Sequence, residues 1–349
     1  MFEINQHFSE NEINVVINNE NREKYKGHPA KTLFQFKYAS TPSESDYYGY
    51  TFANVGRGLH LAATHEREWF EWVKKRILAE DAADASSALS ELRTYGCLRP
   101  VFSHQDIKVH RATNERSSDF SIVNGNETVF IETHCKRINE PMRKRLAEWE
   151  KEKVVSGFKE IVVRPFGNPK TGETTTENAI QKLAQIKQDE KQASDRHYSI
   201  LWVDMQDDSL RNLIRASSAL PIRSWRDSFT SGEMWYSCYG NQGLPILESE
   251  RVVDRIVMRH DGKFSKEGSK FDCCIFSLPN ANIFFENPYS KKTISGHTRY
   301  LLLCMPWVKM EHSWLRFPID DLAERVTQEK ERIEAFCKSV DALYGTRTI

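Results

Sequence analysis

Three ionisable residues on one predicted strand carry the clearest chemical signal in the chain. Side chains of a strand alternate between the two faces of a sheet, so Glu132, His134 and Lys136 share one face. Burying such groups without partners is costly, since even a neutral polar group costs about 1 to 3 kcal/mol. A bound metal ion and a phosphate group would remove that cost, so the pattern indicates metal-assisted chemistry at a phosphate.

A second acid makes the same chemistry more specific. Asp119 lies at the start of the preceding predicted strand, and phosphodiester cleavage needs positive charge and an activated water. Carboxylates of Asp119 and Glu132 are suitable ligands for Mg²⁺ or Mn²⁺, and the Thr133 carbonyl is a further candidate ligand. The ordinary pKa of histidine, near 6.5, suits proton relay by His134. We therefore expect activity to fall below about pH 6, where His134 gains a proton.

These residues resemble the motif of the PD-(D/E)xK nuclease superfamily. The motif places an acid at the end of one hairpin strand and Glu-x-Lys on the next, and Asp119 and Glu132 match the two acids. The resemblance implies an accessory acid at Glu91 on an upstream helix, although a solvated helix face would also explain a glutamate there. It further implies a supporting glutamine at Gln181.

The motif departs from the family at one position. His134 stands where the lysine is usual, and Lys136, two residues further on the same face, is the candidate electrostatic stabiliser. The resemblance implies an Mg²⁺- or Mn²⁺-dependent phosphodiesterase, an endonuclease that cuts DNA in restriction or anti-phage defence. The alternative is an inactive nuclease-like fold that acts as a nucleic-acid-binding or scaffold subunit, and the missing lysine favours it.

Local charge is consistent with a polyanionic partner. A basic cluster follows the proposed metal site and predicts nucleic-acid contacts, with DNA preferred to RNA, at Arg137, Arg143, Lys144 and Arg145. Phosphate neutralisation by this cluster would make binding fall steeply with salt. An ordinary solvated helix face explains the same charges equally well. Besides nucleic acid, the candidate partners are a second copy of the chain, in a homodimer, and another protein of a defence complex.

Composition restricts the class of protein. Lys+Arg and Asp+Glu are 49 each in 349 residues, so no global field directs the protein to nucleic acid or to an anionic membrane. The longest apolar run is far shorter than the roughly 18 to 20 residues that span a bilayer. The N-terminal residues lack the pattern of a secretory signal, and the seven scattered cysteines form no Cys-x-x-Cys pair. We expect a cytoplasmic protein with reduced thiols and no membrane segment.

The elements that must position these residues form a predicted α/β fold. It has a mixed central sheet of restriction-endonuclease-like type flanked by helices. We expect a β-rich N-terminal extension over 1–64, a nuclease-like core over 65–205, a β-rich region over 206–317 packed on or extending the core, and a C-terminal helix over 318–349. The hairpin signal is Asn124-Gly125 between two β-rich runs.

Local patterns give the individual elements. They predict strands at Ile13–Ile17, Thr32–Tyr38, Ile161–Val163, Tyr198–Asp204 and Tyr300–Met305, and helices from His65, over Ser86–Tyr95 with a stop at Gly96, from Pro141, and over Glu177 to about Ala193.

Overall fold

The computed structural model describes most of the chain. The described residues are 4–19, 22–35, 47–110, 118–156, 175–207, 210, 216–225, 228–247, 255–279 and 281–305, with isolated helical positions between 327 and 342. The helices are α1 (Glu10–Asn18), α2 (Pro29–Gln35), α3 (Tyr47–His65), α4 (Arg67–Ile77), α5 (Ala82–Leu98), α6 (Glu140–Ser156), α7 (Thr175–Ala184), α8 (Glu233–Tyr239) and α9 (Gly296–Leu303). The predicted strand at 161–163 lies outside these residues.

The central sheet is mixed and has six strands. The strands of the molecule are β1 (Ile107–Val109), β2 (Phe120–Asn124), β3 (Glu127–Cys135), β4 (Tyr198–Asp204), β5 (Ile222–Trp225), β6 (Ser228–Ser231), β7 (Pro245–Leu247), β8 (Arg255–Val257), β9 (Cys273–Leu278) and β10 (Ala281–Glu286). The sheet order is β1-β2-β3-β4-β9-β10, and the other four strands form two small hairpins. β3, β4 and β9 are parallel, whereas β1, β2 and β10 pair antiparallel with their neighbours.

Helices cover both faces of β4, the central strand. Ile200 and Trp202 belong to an apolar cluster with residues of α3, α4 and α5, whereas Leu201 and Val203 belong to a second cluster with residues of α7 and α8. This alternation explains why Tyr198–Asp204 is apolar almost throughout. The chain is therefore a mixed α/β protein, as predicted. Among the described helices, none combines the length and apolarity needed to cross a bilayer.

The hairpin signal is confirmed. β2 and β3 pair antiparallel, and Gly125 in the turn has a φ of +61°, a left-handed conformation that favours glycine. β4 has the predicted bounds, Tyr198–Asp204. Both results follow from local sequence signals, because a turn glycine and a continuous apolar run constrain the backbone without help from distant residues.

The prediction of a β-rich N-terminal extension is wrong, because the described part of 1–64 is helical. Ser9 accepts a hydrogen bond from the Glu12 backbone and the Glu12 carboxylate accepts one from the Ser9 backbone, a capping box that starts α1. β-branched residues from Ile13 to Ile17 then place Val16 in the core. Residues 32–35 are in α2, and 36–38 lie outside the described part.

Two other element boundaries differ from the predictions. The predicted strand Tyr300–Met305 is wrong, because most of this segment belongs to helix α9. Ser295 caps the start of α9 by accepting a hydrogen bond from the Thr298 backbone N–H. The hydroxyl groups of Ser295 and Thr298 in turn donate to the Glu127 carboxylate. The predicted helix from Glu177 ends at Ala184, where a turn begins. Lys187, which contacts Glu132, lies in that turn.

Gly96 is a packing residue and not the predicted helix stop. α5 continues to Leu98, and a Cβ at Gly96 would lie 2.1 Å from the Asn54 carbonyl oxygen of α3. Gly58 of α3 has the reciprocal position, since its Cβ would lie 2.3 Å from the Leu92 carbonyl oxygen. The two glycines let α3 and α5 approach closely, and α5 carries Glu91.

We predict that Gly96→Ala destabilises the protein although alanine is the better helix former. The added methyl group meets backbone that cannot rotate away, and overpacking of this kind costs about 1 to 3 kcal/mol. Urea unfolding measures the change. Gly296→Ala is the matched control, since a Cβ at that position would have no atom of the described residues within 4 Å; equal stability of both variants would contradict the close-packing role.

Candidate functional site

Asp119 and Glu132 face each other across the β2–β3 hairpin. The register pairs Phe120 with Ile131, so one further step places Asp119 opposite Glu132 on the same face of the sheet. The backbone N–H of Thr133 donates to Asp119 Oδ2 at 2.7 Å. The hairpin thus brings together the two acids that the sequence predicted.

The ammonium group beside Glu132 belongs to Lys187, which the sequence analysis missed. Lys187 Nζ lies 2.7 Å from Glu132 Oε1. Lys187 lies in the turn after α7 and has a φ of +50°, which is uncommon for a residue with a side chain. No sequence motif points to Lys187, because only the tertiary structure brings this turn next to Glu132.

A buried ion pair holds the Lys187 turn. Lys263 Nζ donates to the carbonyl oxygens of Ile186 and Lys187 and lies 3.4 Å from Glu190 Oε1. Glu190 has a φ of +46° and accepts hydrogen bonds from Ser269 Oγ and the Lys270 backbone. The segment after β8 therefore stabilises the turn conformation that presents Lys187 to Glu132.

Burial and mutual repulsion disfavour the charged forms of the acids. Burial, together with the negative charge of Asp119, raises the pKa of Glu132 to about 7, against the opposing effect of Lys187. Burial also raises the pKa of Asp119. Glu132 is only 5% exposed, and its Oε2 atom is buried with no hydrogen-bond partner among the described residues. An additional cation at Oε2 would favour the charged form and so offset the cost of burial.

Glu91 is a buried member of the same acidic group. Its Oε1 atom accepts from Arg76 Nη1 at 2.8 Å, and Arg76 also donates to Asp84 at 2.6 Å. Burial and the charge of Asp119 raise the pKa of Glu91 to about 8. The alternative of a solvated helix face is therefore wrong, and the predicted accessory acid lies in the electrostatic field of Asp119.

The predicted pH role of His134 is wrong. Burial, reinforced by the positive charges of Lys136, Lys187 and Lys263, lowers the pKa of His134 to about 3. The imidazole is therefore neutral throughout the range near pH 6, and its protonation cannot cause a loss of activity there. A neutral ring on the Glu132 face remains able to donate or accept one hydrogen bond.

Two other predicted residues have partners outside the acid pair. Lys136 Nζ donates to the Lys182 carbonyl oxygen at 3.2 Å, and burial lowers the pKa of Lys136 to about 8. Gln181 Nε2 donates to His260 Nε2 at 3.0 Å. Within the described residues, no hydrogen bond joins Gln181 to Asp119 or Glu132, and its supporting role stays a prediction.

The basic cluster is only partly available to a ligand. Arg143 is 6% exposed, pairs with Glu140 and packs against Gly27, so its prediction as a nucleic-acid contact is wrong. Arg137 lies 3.7 Å from the same Glu140 carboxylate. Lys144 is half-buried and Arg145 is exposed. Glu140, at the start of α6, therefore offsets part of the positive charge of Arg137 and Arg143.

The residues present fit a hard divalent cation with few protein ligands. The described part of the chain contains no group of three or more His, Cys, Asp or Glu side chains arranged to hold a metal ion. Mg²⁺ does not require such a cage, because it keeps several waters and commonly takes one or two carboxylates. The unpartnered Glu132 Oε2, opposite Asp119, supplies a suitable oxygen. The Thr133 carbonyl stays a predicted ligand.

Comparisons of the chain with protein families, curated proteins and solved structures find no match. The function must therefore be inferred from the geometry and electrostatics of the acid pair.

We predict that Glu132 makes the metal-free protein less stable as pH rises. Its pKa is about 7 in the folded protein and near 4.5 when unfolded, so the folded state binds more protons between these values. Its stabilising contribution is complete below about pH 4.5 and is lost as pH rises through 7. The loss amounts to about 2 to 3 kcal/mol.

Urea unfolding in EDTA at about pH 5 and about pH 7.5, on either side of the shifted pKa, tests this prediction. Glu132→Gln is the matched control, since it keeps the shape of the side chain but cannot titrate. His134, whose pKa is lowered, makes the folded protein more stable as pH rises, which opposes the effect of Glu132. Subtracting the stability curve of Glu132→Gln from that of the wild type cancels this contribution of His134. Parallel stability curves for the wild type and Glu132→Gln would show that Glu132 has an ordinary pKa.

Proposed function

We propose that the chain is a metal-dependent endonuclease of the PD-(D/E)xK type that hydrolyses DNA phosphodiester bonds, with restriction or anti-phage defence as its context. One observation carries the proposal. Glu132 is buried opposite Asp119, one of its carboxylate oxygens pairs with Lys187, and the other has no partner among the described residues. Glu286 also has one oxygen paired with an arginine and one without a hydrogen-bond partner among the described residues. Glu132 differs because a second buried carboxylate, Asp119, lies opposite it on the hairpin and raises its pKa.

The order of elements supports a restriction-endonuclease-like sheet. Helix α5 with its buried Glu91 precedes the β2–β3 hairpin, and α6 and α7 lead to β4, which pairs parallel with β3. Strands β9 and β10 extend the same sheet on the other side of β4. The proposed core therefore includes strands beyond position 205. Apart from the N-terminal region, whose described part is helical, the predicted division into regions stays a prediction.

Asp119 and Glu132 would hold Mg²⁺ or Mn²⁺. The bound ion would supply positive charge at the phosphate and lower the pKa of a coordinated water. Asp119 Oδ2 already accepts the Thr133 N–H, which fixes the carboxylate orientation. Glu132 presents Oε2, since Oε1 is held by Lys187. The hairpin thus fixes the orientation of Asp119 and leaves Glu132 Oε2 without a hydrogen-bond partner among the described residues.

Lys187 takes the place of the lysine that the motif lacks at position 134. Its ammonium group is a compact point charge beside Glu132. In that position it would orient the attacking water and offset the negative charge that develops on the phosphate. This assignment removes the main sequence argument against activity, because the lysine reaches the site from the turn after α7 instead of from β3.

A second function, binding of nucleic acid without cleavage, is favoured by one observation. The described residues provide no metal-ligating group of three or more side chains. A nuclease-like subunit that had lost catalysis would keep the sheet and the charges but would not retain a cation. Cleavage assays separate the two functions.

We predict that the protein cleaves DNA in the presence of Mg²⁺ or Mn²⁺ and that Glu132→Gln abolishes the cleavage. Loss of one metal-binding carboxylate removes the charge that stabilises the transition state, so the rate falls by about 10² or more. Supercoiled plasmid, linear duplex and single-stranded DNA, each incubated with metal or with EDTA, are analysed on gels. Tight binding of DNA by a wild type that never cuts it would favour the scaffold function.

We also predict that Lys187→Met lowers the cleavage rate by about 10². Lys191→Met is the matched control, because Lys191 is exposed and pairs with Asp189 in the same region of the chain. His134→Gln should have a smaller effect than Lys187→Met, since His134 is neutral in the working pH range. A Lys187→Met variant as active as Lys191→Met would remove the lysine from the mechanism.

A further inference from the structure

We propose that Phe130, His110 and His197 form a subsite that stacks an unpaired base next to the cleavage site. The inference rests on the proposed nuclease function and names its substrate more narrowly, as single-stranded DNA. We define these three rings as the stacking platform. They come from three different elements: His110 follows β1, Phe130 lies in β3, and His197 precedes β4.

The strand register places the stacking platform beside the acid pair. Lys108 pairs with Ser121, which pairs with Phe130. The next row on the same face of these strands holds His110, Asp119 and Glu132. Phe130 and Glu132 are two residues apart on one strand, so they point to the same face with a spacing of about 7 Å. Phe130 therefore lies one row from the acid pair on the same face of the sheet, and His110 lies in the row of the acid pair itself.

The three rings form a cluster whose planes are tilted, with Phe130 at 58° to His197 and at 34° to His110. The centroid of Phe130 lies 5.7 Å from that of His197 and 6.4 Å from that of His110. His110 Nε2 is 2.9 Å from Ser121 Oγ, a hydrogen bond that fixes the imidazole on the sheet. Phe130 and His110 are half-buried and His197 is exposed. His197 is thus the most solvent-exposed ring of the stacking platform and the one that a base can reach first.

Charge favours a nucleotide over a neutral aromatic ligand. Lys108 and Arg196 are both exposed. Lys108 is two residues before His110, and Arg196 immediately precedes His197. The neighbouring acid, Asp195, pairs with Lys270 at 2.8 Å and so is largely neutralised. Single-stranded nucleic acid is bound by this combination of cations along the backbone and aromatic rings for the bases. In a duplex the bases are already stacked on one another, so the stacking platform selects unpaired nucleotides.

The test is a binding assay with a short single-stranded DNA that carries 2-aminopurine at its centre. Binding is measured in Ca²⁺ by anisotropy, stacking by quenching of the 2-aminopurine, and the oligonucleotide is checked on a gel for integrity. We expect Phe130→Leu to weaken binding by about five- to a hundredfold and to abolish the quenching. His197→Ala should act in the same direction, and because its side chain is exposed it leaves the fold unchanged.

Two controls separate stacking from other effects. Phe284→Leu is the matched variant, because Phe284 is a half-buried phenylalanine of β10 that packs with the opposite face of the sheet; it should bind like the wild type. An oligonucleotide with an abasic site in place of the probe should bind the wild type and Phe130→Leu equally. Lys108→Ala should reduce the salt dependence of binding, whereas Phe130→Leu should leave it unchanged.

The proposal is overturned if Phe130→Leu and His197→Ala both bind and quench like the wild type, or if duplex DNA and the abasic oligonucleotide bind as tightly as the intact single strand. These outcomes differ from a failure of the nuclease function. A wild type that cuts no DNA but loses stacking in Phe130→Leu would refute catalysis and retain the subsite. If the wild type cuts DNA and the Phe130→Leu variant cuts it equally well with unchanged quenching, catalysis is retained and the subsite is refuted.

Discussion

The burial of two opposed carboxylates is the constraint on which the structure depends. Asp119 and Glu132 lie across from each other in a hairpin, and removing both from water disfavours their charged forms. The protein offers partial compensation, with a backbone N–H for Asp119 and the ammonium group of Lys187 for Glu132. One oxygen of Glu132 remains without a partner among the described residues. A buried group in this state costs stability, which the proposed cation would offset.

The rest of the fold maintains this arrangement. The parallel strands β3 and β4 are covered on both faces, so the hairpin cannot change register without exposing apolar side chains. Close packing of α3 against α5 at Gly96 fixes the helix that carries Glu91. Lys263 and Glu190 hold the turn in which Lys187 has its left-handed conformation. Residues far apart in sequence therefore combine in one site whose acids are only partly compensated by positive charge.

Local signals predicted the elements whose conformation is decided locally. The Asn124-Gly125 turn, the apolar run of β4 and the pairing of Asp119 with Glu132 all depend on short-range periodicity and turn chemistry. Lys187 could not be predicted, because only the tertiary structure brings that turn to the hairpin. The same is true of the burial that keeps His134 neutral. At the N-terminus a capping box outweighed the strand preference of β-branched residues, which shows that the start signal of a helix can override the propensity of its interior.

The proposed site holds a divalent cation between Asp119 and the Glu132 oxygen that has no hydrogen-bond partner among the described residues. Crystals grown with Mn²⁺ and measured at the manganese absorption edge test this directly. We expect an anomalous peak between the carboxylate of Asp119 and Glu132 Oε2, and we expect it to disappear in crystals of Glu132→Gln. A wild-type structure at saturating Mn²⁺ with no peak at this position, while Glu132 still contacts only Lys187, would contradict it.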